Sequence, residues 1–287
     1  MVATPTAPTP FDPGNWGEIV PIEQIAKVRV PERGPDSWRP LPHGTFVEMF
    51  EQTLDRHGFS ISEPVHYRAE SRKNEKILDL PKFGRFLSLY GITHPGLPEI
   101  SGLRWEAGLG NSYDMTMAAG AGLGERVNVC SNGLYMGATA GFKRKHTVGI
   151  DRDREGMFEH VHDLMENAVG GILAAAEGRA ARIDRFQNTE CGDKSARFVI
   201  IEAAKRGVIG PAAVLRVLKH WEAPEHPEFS DRNVWSLQNA FTSNDRGQSL
   251  FTQGKRMGRL DAVLDDHFGF SGQCPLEDDP QFVAADF

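Results

Sequence analysis

Four basic or potentially basic side chains stand together at Lys143-Arg144-Lys145-His146, in a chain of net charge −7. Such a run suits phosphate contacts, which supply most sequence-independent affinity for nucleic acid. A solvated loop is the plain alternative. Arg126 and Tyr135 lie close upstream and would add a further charge and a stacking face.

Other polar clusters point less clearly to chemistry. Asn111-Ser112-Tyr113-Asp114 is either a catalytic group or a polar turn, and Asx and Ser side chains favour the turn. No base is identifiable beside Ser112, and no GxSxG occurs. His160 and His162 are two apart, so on a helix they point about 200° from each other and do not chelate one ion. Gly108-Leu109-Gly110 and Gly120-Ala121-Gly122-Leu123-Gly124 match neither a P-loop nor GxGxxG and read as sheet loops. Trp235 to Thr242 reads as a helix with Trp235 and Phe241 as core anchors and Asn239 as a buried or capping polar group. No catalytic residue, metal site or cofactor is expected.

These residues need positioning elements. Asn132-Gly133 between Val127, Val129 and Leu134-Tyr135-Met136 predicts a type I′ β-hairpin. Thr45 with Glu48 predicts a capping box opening a helix that Gly58 ends. Strands are expected near residues 65–69, 85–90, 103–109 and 115–119, with short antiparallel connections. From Arg154 the apolar period becomes helical, through Met157, Val161, Met165 and Val169, and continues past Gly178 to Phe186. Helices follow at 194–206, 211–221, 231–243 (Ser230 as N-cap) and 254–268. The fold class is therefore α+β: an antiparallel sheet with a central hairpin, packed by a long helix and a C-terminal helical region.

Flanking segments differ from this core, which spans residues 44–270, with strands within 61–148 and helices within 154–268. Residues 1–43 hold nine of the 18 prolines and read as an extended arm. Its Trp16, Ile19, Val20 and Ile22 leave two readings, a disordered leader or an arm that packs on another subunit; Ile25 to Val30 alternates weakly, as a strand would. Residues 271–287 form an acidic-aromatic tail, with Asp278, Asp279, Phe282, Asp286 and Phe287 as candidate partner-binding residues. The tail is similar to the C-terminal tips of single-stranded-DNA-binding proteins of phages and bacteria, which implies a replication or recombination protein as partner; a plain solubilising tail is the alternative.

At 287 residues, 40% apolar and 25% charged, the composition is that of a soluble globular protein. MVATPTAPTP lacks the charged and apolar regions of a signal peptide. No apolar run is long enough to span a membrane. Three scattered cysteines without CxxC suit a reducing cytoplasm. Net acidity argues against coating duplex DNA by bulk charge, yet allows a basic groove on an acidic body.

Three motifs in order carry a resemblance: Asn111-Ser112-Tyr113-Asp114; Arg126 to Gly133 followed by Lys145-His146-Thr147; and Trp235 to Thr242. Over residues 44–270 the chain resembles a family encoded by phages and plasmids and known only as a domain of unknown function. The helix, antiparallel sheet and long helix in that order are also similar to the core of recombination annealing proteins of the phage Red-beta and eukaryotic Rad types, by analogy of fold alone. The family brings no activity with it; the fold analogy, the basic run at Lys143 to His146 and the acidic-aromatic tail together point to a non-enzymatic, homo-oligomeric single-stranded nucleic-acid-binding protein of a mobile element, with strand annealing or recombination as its setting. A structural or counter-defence oligomer that binds host proteins is the alternative.

Overall fold

Short connections between strands force antiparallel neighbours, and that is how the first half of the chain is built. The computed structural model describes residues 17–127, 140–145, 154–243 and 250–270. Its strands are β1 (Glu18–Ile19), β2 (Ser60–Ala69), β3 (Arg85–Thr93), β4 (Leu103–Ser112), β5 (Ala119–Val127) and β6 (Ala140–Arg144). They form one sheet in the order of the chain, every pair antiparallel. The helices are α1 (Ile22–Ala26), α2 (His43–Arg56), α3 (Arg154–Gly170), α4 (Ile172–Gln187), α5 (Asp193–Lys205), α6 (Val214–Glu222), α7 (Val234–Ser243) and α8 (Leu250–Phe268). The fold is α+β, as expected.

One face of the sheet supplies Phe86, Tyr90, Leu109, Leu123 and Phe142 to a core completed by Phe46, Phe50 and Leu54 of α2 and by Met157, Val161, Met165 and Val169 of α3. The four α3 residues recur every fourth position, the stripe a buried helix face requires. A second core, among α4 to α8, centres on Phe186, Val199, Val217, Trp221, Leu237 and Leu260. Between the two cores, Arg179 of α4 donates to Glu125 of β5 at 2.8 Å, and Gln238 of α7 donates to Asp261 of α8 at 2.9 Å. Burial pushes the Asp261 carboxyl above its ordinary value, with Arg179 and Arg182 opposing.

Several local expectations are corrected. Helix α2 begins at His43 after Pro42, whose carbonyl accepts the Phe46 N–H at 3.0 Å; Thr45 lies inside the helix and caps nothing. Gly58, with φ +79°, does end it. Helix α7 is capped by Asn233, which accepts the Ser236 N–H at 2.9 Å, and not by Ser230. The long helix breaks at Gly170-Gly171 into α3 and α4.

Both glycine runs are strand interiors, with Gly108 opposite Gly122 and Gly110 opposite Gly120. Glycines occupy one face while Ala107, Leu109, Ala121 and Leu123 occupy the other, so the run alternates with period two. Residues 115–118 are a turn region, with Met115 at φ 63°.

Where it is described, the N-terminal segment combines the two-residue strand β1, the short helix α1 and irregular chain. Ile25 lies in α1 rather than in a strand, and Val20, Ile25, Trp38 and Leu41 are buried. Strand β1 extends the sheet by pairing Glu18 with Arg68 and Ile19 with Tyr67. The described apolar residues of this segment thus bury largely against their own chain, although Ile19 stays 65% exposed; Trp16 lies outside the described residues.

Candidate nucleic-acid interface

Lys143 and Arg144 close β6, and Lys145 follows directly; both lysines are exposed and Arg144 is half-buried. Lys143 pairs with Gly120, and the same row runs through Gly110 and Leu87 to Tyr67. Four strand spacings separate its ends, about 19 Å. Arg126 belongs elsewhere. It pairs with Arg104 six residues along β5 from Gly120, about 20 Å away at the opposite end of the sheet. The strand geometry therefore separates Arg126 from the basic run. Asn132-Gly133, Tyr135, His146 and the tail residues Asp278, Asp279, Phe282, Asp286 and Phe287 lie outside the described residues. Strands β5 and β6, which flank Asn132-Gly133, are antiparallel neighbours.

A second basic segment shares the sheet end with Lys143. The last residues of β2, the connection to β3 and the first residue of β3 span 68–85. They contain Arg68, Arg72, Lys73, Lys76, Lys82 and Arg85 against Glu70, Glu75 and Asp79. With Lys143, Arg144 and Lys145 the sheet end gathers nine bases and three acids from these two segments.

The ring of Phe83 has the Arg68 guanidinium carbon 4.3 Å and the Lys82 Nζ 5.0 Å from its centroid, an aromatic surface with two cations on it. Acidic neighbours are present too. Glu18 meets Arg68 at 2.6 Å, Glu70 meets Lys82 at 3.2 Å and Glu75 meets Lys73 at 3.3 Å. These pairs are partly or largely exposed and exchange readily with other partners. The residues at 68–85 carry little signal in the sequence because their bases are spaced out among acids. Only the pairing of β2 with β3 brings them to one edge.

Asn111 to Asp114 anchors this basic connection. All four residues are buried. Asp114 accepts the Arg72 N–H at 2.7 Å, and its backbone carbonyl accepts from Asn74 at 2.8 Å. The Tyr113 N–H donates to the Gly84 carbonyl at 2.7 Å, while its ring stacks on His43 with centroids 3.8 Å apart. Asn111 donates to the Leu41 carbonyl at 2.9 Å, and Ser112 donates to and accepts from the backbone of Met117. The cluster is the polar turn of the plainer reading, and it holds the 70–84 connection against β4.

Other polar groups also have structural partners. His162 reaches Glu166, which receives Arg56 and lies 2.8 Å from His57 Nε2. Hydrogen bonding from Arg56 holds the Glu166 carboxyl down at about 2, with His57 contributing. No group of three His, Cys, Asp or Glu side chains among the described residues is placed to hold a metal ion. His66 Nδ1 lies 2.8 Å from Ser88 Oγ, but Ser88 is wholly buried beside Tyr90 and inaccessible to a substrate. In α7, Trp235 and Phe241 are buried core residues, and Asn239 donates back to the Trp235 carbonyl at 2.9 Å. Among the described residues no helix is long and apolar enough to cross a membrane.

Comparison of the chain with protein-family models, with curated proteins and with solved structures finds no match.

Proposed function

We propose that the protein binds single-stranded nucleic acid across one end of its sheet and does no chemistry on it. The observation that carries this reading is the shared location of the β2–β3 connection and the β6 exit. Two basic segments, about 60 residues apart in sequence, lie at the same end of the sheet about 19 Å apart, with Phe83 in the β2–β3 connection. Spaced cations suit a phosphate backbone, and an aromatic ring suits an unstacked base. A duplex offers no free base face to such a ring, which favours the single strand. The mobile-element setting and a role in strand annealing belong to the same proposal.

The test is fluorescence anisotropy of a labelled oligonucleotide at two salt concentrations. Binding that weakens steeply with salt, and weakens further in Lys82→Ala/Lys143→Ala/Lys145→Ala, is expected. Absence of binding at low salt overturns the reading and leaves the protein-binding alternative.

A further inference from the structure

Helix α5 buries Ala196, Val199, Ile200 and Ala203, and its opposite side carries two large apolar side chains one turn apart. Phe198 is 54% exposed and Ile201 52% exposed. Lys194 and Lys205 bracket them at 4-3-4 spacing, so the outward stripe has an apolar centre and a cation at each end. An apolar centre with a charged end on either side is the pattern of a candidate contact surface.

Charge decides which occupant fits. A second copy of α5 laid along the stripe would place lysine against lysine in either orientation, which is unfavourable. An occupant with acids beside an apolar anchor is complementary. Residues 276–282 of this chain have that composition: Leu276, then Glu277, Asp278 and Asp279, then Phe282, and no base occurs in 271–287. Helix α8 also ends beside the stripe. His267 of α8 stacks on Phe198 with centroids 5.0 Å apart, and Phe270, three residues later, packs on Phe186. From Phe270, six to twelve residues of chain reach up to about 20–40 Å, more than enough to return to α5. Arg197 and Lys205 now meet Glu222 and Glu202, but these pairs are exposed or partly exposed and open to exchange.

We propose that the Phe198–Ile201 stripe of α5 is the docking face for this chain's own residues 276–282. Tethering keeps the local concentration of the segment high, so weak contacts suffice. A partner that binds either the stripe or the segment then competes with this contact. The inference is independent of the nucleic-acid reading, and its test contains no nucleic acid.

The experiment uses full-length protein with labelled isoleucine methyl groups. The Ile201 resonance is compared between wild type and Asp278→Lys/Asp279→Lys/Phe282→Ser, with buried Ile183 and Ile200 as controls for the fold. The expected result is a shift of Ile201 alone in the variant, matched by wild type at raised salt and independent of protein concentration. An Ile201 resonance that ignores the variant overturns the proposal. A shift that grows with protein concentration also overturns it, and assigns the stripe to contact between copies.

Discussion

The Asp114 carboxylate accepts the backbone N–H of Arg72 at 2.7 Å, across 42 residues of chain. One buried side chain thereby fixes where the basic connection leaves β2. Replacing Asp114 with Ala strands that N–H and also removes the acceptor for Thr116, whose N–H lies 3.0 Å from Oδ1. The expected loss is about 2–4 kcal/mol, from two unmet donors. Urea unfolding checks it, and oligonucleotide affinity should fall in parallel because the bases lose their register.

The two ends of the sheet predict different salt behaviour. Each lost phosphate contact removes about 0.7 from the log–log salt slope for single strands. Changing Lys82, Lys143 and Lys145 together to Ala is expected to lower the slope by roughly 2. Arg126→Ala, at the other end, is expected to leave it unchanged. Anisotropy titrations from low to moderate salt separate the two; an equal effect of Arg126→Ala would mean that the ligand runs the length of the sheet.

Glu166 makes stability depend on acid. Its folded value of about 2 lies below the ordinary carboxylate value of 4.5, so its stabilising contribution is complete above the unfolded value. It is lost as pH falls through the range from about 4.5 to about 2. The carboxylate is 30% exposed, so solvent screening limits the effect to about 1 kcal/mol. Thermal melts of wild type and Glu166→Gln should converge as pH drops through that window. A constant gap would argue against the Arg56–Glu166 contact.

Two glycines should respond in opposite directions. Gly58 holds φ +79° at the end of α2, so Gly58→Val is expected to cost about 1–2 kcal/mol. Gly178 lies inside α4 with nothing within 4 Å of an added Cβ, so Gly178→Ala is expected to stabilise by about 0.5–1 kcal/mol. Differential scanning calorimetry reads both as shifts of Tm.

Burial pushes the Cys191 thiol up to about 12, with Asp193 adding to the shift. Cys191 is therefore expected to resist iodoacetamide at pH 8 in the folded protein and to react once urea unfolds it. Peptide mass mapping distinguishes the two states.

Period and punctuation are legible in the sequence alone. The every-fourth-residue stripe of α3, the stop at Gly58 and the α+β order all follow from local patterns. Two kinds of feature are not. The caps at Pro42 and Asn233 compete with better-known neighbours, Thr45 and Ser230, and tertiary placement selects between them. Alternation of glycine with Ala or Leu across 120–124 is a strand signal that the turn propensity of glycine obscured. At the candidate site, Lys143 to Lys145 were visible as a run. Arg68, Lys82 and Phe83 join them only through the pairing of β2 with β3, and Arg126 drops away because strand rise sets it about 20 Å apart.

Strands that neighbour one another in sequence also neighbour one another in space, from β2 through β6. A sheet of this kind can assemble as a succession of short loop closures, each adding one ribbon to the last. Strand β1 is different, since Glu18 must find Arg68 fifty residues away. Its ordering entropy is met by a two-residue ladder and the burial of Val20, a small return for a long closure. Amide exchange should therefore be fastest at β1 within the sheet, and in refolding its protection should arrive after that of β3 and β4. The outer edge beside β2 would then stand open for part of every folding event, a brief period in which another strand can take the place of β1.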